Sequence, residues 1–447
     1  MLLPLPQNNQ RIKGLIFVMI IGLLYSCKKF DHEPPKADEN ADVVYAWYKF
    51  MAKVQLPANP QPVVLLNSRN FGFIGVGLYE AVRAGSHGAK SLSAKLYQMP
   101  SMPEPDKNKD YLWSESANAA LASMFKQFLV LTDANKASID SMEKANYMRF
   151  KLKTSDAVLM RSQTYGRSIA TAIYNWSTTD KFNLSSVGYT IPAYPGAWEP
   201  TPPAKASPVG PFLKDSRPFL EYSLTATAPP LPFPYSTDTS SKFYKAAKEV
   251  YSIGKALTDE QKAIANWFAD VGGASVGLPA PYHIISIITG VLESQHVNLW
   301  QAAEMYAKTG IVLKDGGIIT FRAKYQHNLI RPITYIKKHI DTAWVSHLIT
   351  PPYPEYTSGL AGFYTPLIQV LIREFGNIPV TDNAYDFRGL APRKYHSLWQ
   401  LAEEAAISRV YGGIHYRFTQ NVTLQMGKEF GDKITDINLL PNRYKDQ

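Results

Sequence analysis

Apolar side chains recur at three- and four-residue spacing through most of the chain from about Ala41 onward. That spacing is the signature of an α-helix, whose geometry brings such positions onto one face. It predicts helices over Ser114–Leu131, Ala134–Phe150, Asp156–Trp176, Ser241–Ile253, Pro281–Ala307 and Trp399–Tyr411. Thr258 followed by Gln261 has the spacing of a capping box and predicts the start of a further helix containing Trp267. No convincing run alternates with the period of two expected of a half-buried strand. The predicted fold class is therefore all-α, a multi-helix bundle.

One stretch departs from this period. Twelve of the 32 prolines fall between Ile191 and Tyr235, and proline's missing N–H and bulky ring exclude a long helix there. The same stretch carries Tyr194, Trp198, Phe212, Phe219 and Tyr222, more aromatic surface than a free linker holds. It predicts an ordered, irregular loop laid over the helical body. A linker between two domains is the other reading.

At 447 residues, with 45% hydrophobic and 19% charged positions, the chain has the composition of a globular protein. Disordered, collagen-like and coiled-coil classes are excluded. The net charge is +10, but Lys and Arg are scattered rather than gathered in a stripe, so no nucleic-acid partner is expected. The lone cysteine, Cys27, excludes a disulfide framework and any multi-cysteine metal site. It closes a segment with the order of a secretory signal: Arg11 and Lys13, an apolar run from Gly14 to Leu24, and then Leu24-Tyr25-Ser26-Cys27, which resembles a bacterial lipobox. This order predicts a lipoprotein signal peptide over residues 1–27, with Cys27 as the point of lipid attachment. Residues 28–40, polar and proline-bearing, read as a flexible tether, and residues 41–447 as one helical domain. No other stretch is long and apolar enough to predict a transmembrane helix. The expected location is the bacterial cell envelope, with the N-terminal lipid in a membrane and the domain facing the periplasm or the cell surface. An uncleaved anchor helix with a chance cysteine is the competing reading.

Candidate chemistry lies in the last third of the chain, in three short segments. The first is Lys324-Tyr325-Gln326-His327-Asn328-Leu329-Ile330-Arg331-Pro332. On one continuous helix, seven steps of about 100° would put Lys324 and Arg331 within roughly 20° of each other, two turns apart. Two cations would share a face; a solvated stripe has the same pattern. The second segment is Pro351-Pro352-Tyr353-Pro354-Glu355-Tyr356-Thr357-Ser358-Gly359-Leu360, followed by an apolar run to Ile372. Its prolines end one element, and Thr357-Ser358-Gly359 opens a helix whose first-turn N–H groups and dipole suit an anion. Thr357 or Ser358 capping its own helix accounts for the same residues. The third segment is Ser408-Arg409-Val410-Tyr411-Gly412-Gly413-Ile414-His415-Tyr416-Arg417-Phe418-Thr419. A helix ending at the glycine pair and another beginning near His415 would let Arg409 and His415 face a common point.

Taken together and in this order, the segments resemble the signature of the type 2 phosphatidic acid phosphatase and vanadium-dependent haloperoxidase superfamily. That signature runs Lys, six residues, Arg-Pro; then Pro-Ser-Gly-His; then Ser-Arg, five residues, His, three residues, Asp. Lys324, Arg331 and Pro332 match the first block, Ser358 and Gly359 the second, and Ser408, Arg409 and His415 the third. Upstream, the stretch from Ala193 to Pro202, Arg217-Pro218-Phe219 and Phe243-Tyr244 resemble the proline-rich loop of the soluble bacterial haloperoxidase-like branch. The resemblance covers nearly all of the chain beyond the predicted signal peptide. It implies a helical bundle that binds phosphate or vanadate as ligand or cofactor. Lys324, Arg331 and Arg409 would neutralise the equatorial oxygens, while Ser358 and the Gly359 N–H donate hydrogen bonds to them. His415 would bind the central atom, as the nucleophile does in the phosphatases and the vanadium-bonded residue does in the haloperoxidases. Such chemistry relies mostly on preorganised positive charge. Related haloperoxidases often dimerise, so a homodimer is among the expected assemblies.

Two positions depart from the signature. Where the family has a histidine after Ser-Gly, acting as acid or base, this chain has Leu360; where it has the terminal aspartate that orients the nucleophilic imidazole, this chain has Thr419. Leucine transfers no proton, and general acid–base catalysis is typically worth about 10²–10⁴-fold. Thr419 could still hydrogen-bond His415. His327, on nearly the same helical stripe as Lys324 and Arg331, is the first candidate to replace the missing acid, with Glu355 and Tyr356 behind it. Two function classes follow: a lipid-anchored phosphatase or haloperoxidase-like enzyme of altered activity, or a non-catalytic relative that keeps the pocket to bind an anion.

Overall fold

The computed structural model describes residues 39–55, 63–201, 206–269 and 278–440. The predicted signal peptide with Cys27, and all of the predicted tether except its last two residues, lie outside them. Helices dominate: α1 Asp42–Gln55, α2 Val64–Val82, α3 Trp113–Phe128, α4 Asp133–Phe150, α5 Asp156–Ser177, α6 Lys242–Lys255, α7 Asp259–Trp267, α8 Ala280–Ser294, α9 Leu299–His327, α10 Pro332–His339, α11 Gly359–Phe375, α12 Leu398–Tyr411 and α13 Arg417–Thr435. Among the described residues the strands are β1 Val380–Asp382 and β2 Arg393–Tyr395, an antiparallel pair with Val380 opposite Tyr395. The fold is all-α. No helix among the described residues is long and apolar enough to cross a membrane.

The predicted helices lie close to the observed ones, and the capping box at Thr258 and Gln261 forms at the start of α7. Two expectations are corrected. The apolar run predicted as one helix from Pro281 to Ala307 is two, α8 and α9, parted where His296 takes a left-handed φ of 50°. Asn298 restarts the helix: its side chain accepts from the Gln301 N–H while the Gln301 side chain accepts from the Asn298 N–H. Lys324 and Arg331 likewise do not share a helix. Helix α9 ends at His327, Asn328 follows in the left-handed region, and Arg331 is the N-cap of α10 with Pro332 behind it. The proline ring blocks helical geometry in the residue before it and cannot donate to the preceding turn, so the chain must break there.

Helix α9 runs beside α2, and α11 pairs with α13. Close approach of α2 and α9 needs glycine: a Cβ on Gly75 would meet the Tyr306 carbonyl oxygen at 2.3 Å. Trp198 and Phe219, from the proline-rich stretch, are buried. Backbone bonds tie this stretch to the segment after α9: Trp198 N–H donates to Asn328 O at 2.7 Å, and Ile330 N–H donates to Gly196 O at 2.9 Å. Val209 N–H donates to Pro352 O, and Tyr356 hydroxyl to Pro229 O. The irregular loop is therefore part of the body, and it clamps the two connections that carry Arg331 and Ser358.

Candidate active site

Those two connections, 328–331 and 351–358, meet the turn between α12 and α13. Each supplies buried charge. Lys324, Arg331, Glu355, Arg409 and His415 are all at most 4% exposed, a concentration that is costly unless every charge is paired or hydrogen-bonded.

Arg331 links the three pieces. Its Nε donates to Tyr353 O at 2.9 Å, and its Nη1 donates to Ile414 O at 2.8 Å and meets His415 Nε2 at 3.2 Å. Its Nη2 has no protein partner among the described residues. Lys324 Nζ donates to the carbonyls of Pro354 and Glu355, both at 3.0 Å, and to that of Thr357. The two cations also flank the Tyr353 ring, at 5.0 Å for Lys324 and 5.2 Å for Arg331. The convergence expected from one helical face thus arises by another route, around Tyr353 and across the helix break. Arg409 Nη1 donates to the carbonyl of Phe268, just past the end of α7.

His415 sits between α12 and α13, after Gly413, whose φ of 74° turns the chain. Its Nδ1 lies 2.7 Å from Glu355 Oε1. The same oxygen accepts from the Tyr416 N–H at 3.0 Å, and Glu355 Oε2 accepts from the Thr419 hydroxyl at 2.8 Å. An arginine cannot accept a hydrogen bond, so Nε2 facing Arg331 and Nδ1 facing Glu355 fit the tautomer that carries its proton on Nδ1. Burial, and then the cations Arg331, Lys324 and Arg409, hold the imidazole well below its ordinary pKa. Burial pushes the Glu355 carboxyl up to about 7 against the pull of Arg331 and Lys324. Arg331 is brought down to about 10 and Lys324 well below the usual ammonium range, burial being the first cause of both. An added anion would relieve this mutual repulsion of cations.

Ser358 is the N-cap of α11: its hydroxyl faces Ala361 N at 3.5 Å and its own N–H donates to Thr423 Oγ1 at 3.1 Å. The capping reading of Ser358 is therefore met, and the first N–H groups of α11, Gly359 among them, have no backbone acceptor within the helix. A Cβ on Gly359 would meet no atom within 4 Å, so there is open space beside its Cα. Ser408, by contrast, spends its hydroxyl on Ala405 O of its own helix.

The replacement acids behave differently from expectation. His327 packs edge-on against the Tyr356 ring at 4.9 Å, and Tyr356 turns its hydroxyl to Pro229 O. Neither makes a hydrogen bond or ring contact with His415 among the described residues. Leu360 is buried within the main apolar cluster. Thr419 does not bond His415 but Glu355. The residue that sequence reasoning missed in its true place is Glu355; the available signal was a lone carboxylate among prolines, three residues before Ser358.

Fold and site together define a helical-bundle protein with a buried histidine held between a carboxylate and a guanidinium and ringed by further cations. The family described as the second helical-bundle domain of vanadium chloroperoxidase matches residues 304–439, which hold every signature residue. The vanadium chloroperoxidase of Curvularia inaequalis is 24% identical over 179 residues, covering 28% of this chain and 29% of that protein, so the match spans less than a third of that relative. A solved bacterial vanadium-dependent iodoperoxidase is similar over 91% of this chain and 98% of its own, with a TM-score of 0.81 and 28% identity. A holo-type bacterial vanadium-dependent chloroperoxidase shares the fold at a TM-score of 0.65 and 15% identity, over 89% of this chain and 97% of its own. These similarities fit the type 2 phosphatidic acid phosphatase and vanadium-dependent haloperoxidase superfamily.

Proposed function

We propose that the protein is a lipid-anchored component of the bacterial envelope whose Lys324, Arg331, Arg409 and His415 pocket binds phosphate or vanadate, and that with vanadate it oxidises iodide slowly. The observation that carries this reading is the contact of His415 Nε2 with Arg331 Nη1 at 3.2 Å, which sets the ring nitrogen against an arginine fork. The residues fit a tetrahedral oxyanion: Arg331 Nη2 is buried without a protein partner among the described residues, and open space lies beside the Gly359 Cα. Arg331, Arg409 and Lys324 would take the oxygens, with Lys324 exchanging carbonyl partners for the anion, and His415 would bind the central atom. Bound vanadate would supply the activation of hydrogen peroxide for halide oxidation. Related haloperoxidases, named for vanadium, support that cofactor, and the solved iodoperoxidase supports iodide.

Leu360 sets the rate. With an apolar side chain at the position of the family's acid–base histidine, a factor on the order of 10²–10⁴ is forgone. Iodide, the most readily oxidised of the common halides, asks least of a proton donor. The burial of Leu360 in the apolar core supports a second reading, a phosphate-binding lipoprotein without turnover. The test is calorimetric titration with orthovanadate, followed by triiodide formation from iodide and hydrogen peroxide. Saturable binding with slow triiodide formation supports the first reading, binding without turnover selects the second, and absence of binding overturns both.

A further inference from the structure

The superfamily signature places an aspartate four residues after the histidine, where this chain has Thr419. We infer that Glu355 is the positioning residue that replaces it, holding His415 with Nδ1 protonated and the Nε2 lone pair directed at the anion pocket, and that Thr419 has become the anchor of that carboxylate. This deepens the proposed anion-binding reading and rests on it only for the ligand.

The geometry carries the assignment. Three donors converge on the two carboxylate oxygens of Glu355: His415 Nδ1 at 2.7 Å and Tyr416 N–H at 3.0 Å on Oε1, and the Thr419 hydroxyl at 2.8 Å on Oε2. Glu355 and Thr419 are fully buried and His415 is 3% exposed, so water does not compete for these bonds. An aspartate at 419 would set a second carboxylate against Glu355, and like charges at such a distance cannot both stay ionised cheaply. A threonine there removes the repulsion and adds the donor that the second oxygen needs. The acid and the residue at 419 form one exchange: the carboxylate moves to the loop before α11, and the helix supplies a hydroxyl in its place.

The same helix face fixes the loop that carries the acid. Thr423, one turn after Thr419, accepts from the Ser358 N–H at 3.1 Å and donates to Thr419 O at 2.7 Å. Glu355 N–H donates to Leu329 O at 2.9 Å, and its carbonyl accepts from Lys324 Nζ. The carboxylate that orients His415 is thus built into the segment that seats Lys324 and caps α11. In metal-binding histidines such an outer carboxylate fixes the tautomer and raises basicity, and its loss costs about 10–100-fold in affinity.

Two measurements on the full chain separate this inference from the anion-binding reading. The first needs no ligand: ¹⁵N spectra of histidine-labelled protein, with His415 identified by its loss in His415→Gln, should show the Nδ1–H tautomer in the wild type and a mixture in Glu355→Ala. The second is orthovanadate titration. Glu355→Ala should weaken binding about 10–100-fold, Thr419→Val less, and the exchanged pair Glu355→Ala with Thr419→Asp should regain at least part of the loss. An Nε2–H tautomer in the wild type overturns the inference, even if every Glu355 variant fails to fold. So does wild-type vanadate affinity in a folded Glu355→Ala. An Nδ1–H tautomer that depends on Glu355, in a protein that binds no vanadate, overturns the anion-binding reading and upholds the role of Glu355.

Discussion

Arg331 Nη1 and His415 Nε2 stand 3.2 Å apart across 84 residues of sequence, both side chains buried. Because guanidinium only donates, this contact fits the tautomer whose lone pair lies on Nε2. It also places that lone pair beside a donor, Arg331 Nη2, that has no protein partner among the described residues.

A ligand that binds only the folded state stabilises it by mass action, by about 2.7 kcal/mol at a hundredfold excess over Kd. Orthovanadate should therefore raise the Tm in a concentration-dependent way. Arg331→Lys keeps a cation but loses the planar fork, and should abolish most of that rise. An equal rise in the variant, read by differential scanning calorimetry, would show that Arg331 does not hold the anion.

Leu360→His restores an ionisable group at the second residue of α11. Iodide oxidation by the vanadate-loaded protein should increase by about 10²-fold, the lower end of what general acid–base catalysis supplies. Triiodide absorbance measures it. No gain with vanadate bound would mean that more than the proton donor is missing.

Cys27→Ser should move the protein from the membrane fraction to the soluble one, as one acyl-modified cysteine is the proposed attachment. Retention in the membrane after fractionation and immunoblotting would instead favour an uncleaved anchor helix.

Gly413 has a φ of 74°, and a Cβ there would meet Trp344 at 3.0 Å and Ser346 Cβ at 3.1 Å. Gly413→Ala should cost about 1–3 kcal/mol in urea unfolding. Since the turn positions His415 two residues on, vanadate affinity should fall with it, whereas unchanged stability and affinity would mean that the turn relaxes freely.

Glu115 lies within α3, where the Asn118 amide donates to it at 3.1 Å. Burial pushes its carboxyl up to about 8, with the Asn118 bond opposing. Between the ordinary value of 4.5 and about 8 the folded state binds the proton more tightly than the unfolded chain, so stability should fall as pH rises through that window. Glu115→Gln should flatten the fall when urea midpoints at pH 5 and pH 8 are compared. A variant with the same slope as the wild type would assign the dependence elsewhere.

What the sequence determined by itself was local. Spacing at three and four residues locates helices because that period is a property of one segment, and the Thr258 capping box forms as its side chains dictate. Lys324, Arg331, Ser358, Arg409 and His415 were legible as a set because the signature fixes residue type at short spacing. The break at 295–298 was written in the Asn298 and Gln301 pair, and the break before α10 in Pro332, but continuous apolar periodicity masks such stops. Only the tertiary structure decided what meets what. Lys324 and Arg331 converge around Tyr353 although they occupy different helices, and Glu355 reaches His415 from 60 residues away because the 351–358 segment is clamped between the proline-rich loop and α13. A carboxylate's partner across such a separation follows from packing and from the need to satisfy buried charge, neither of which has a period along the chain.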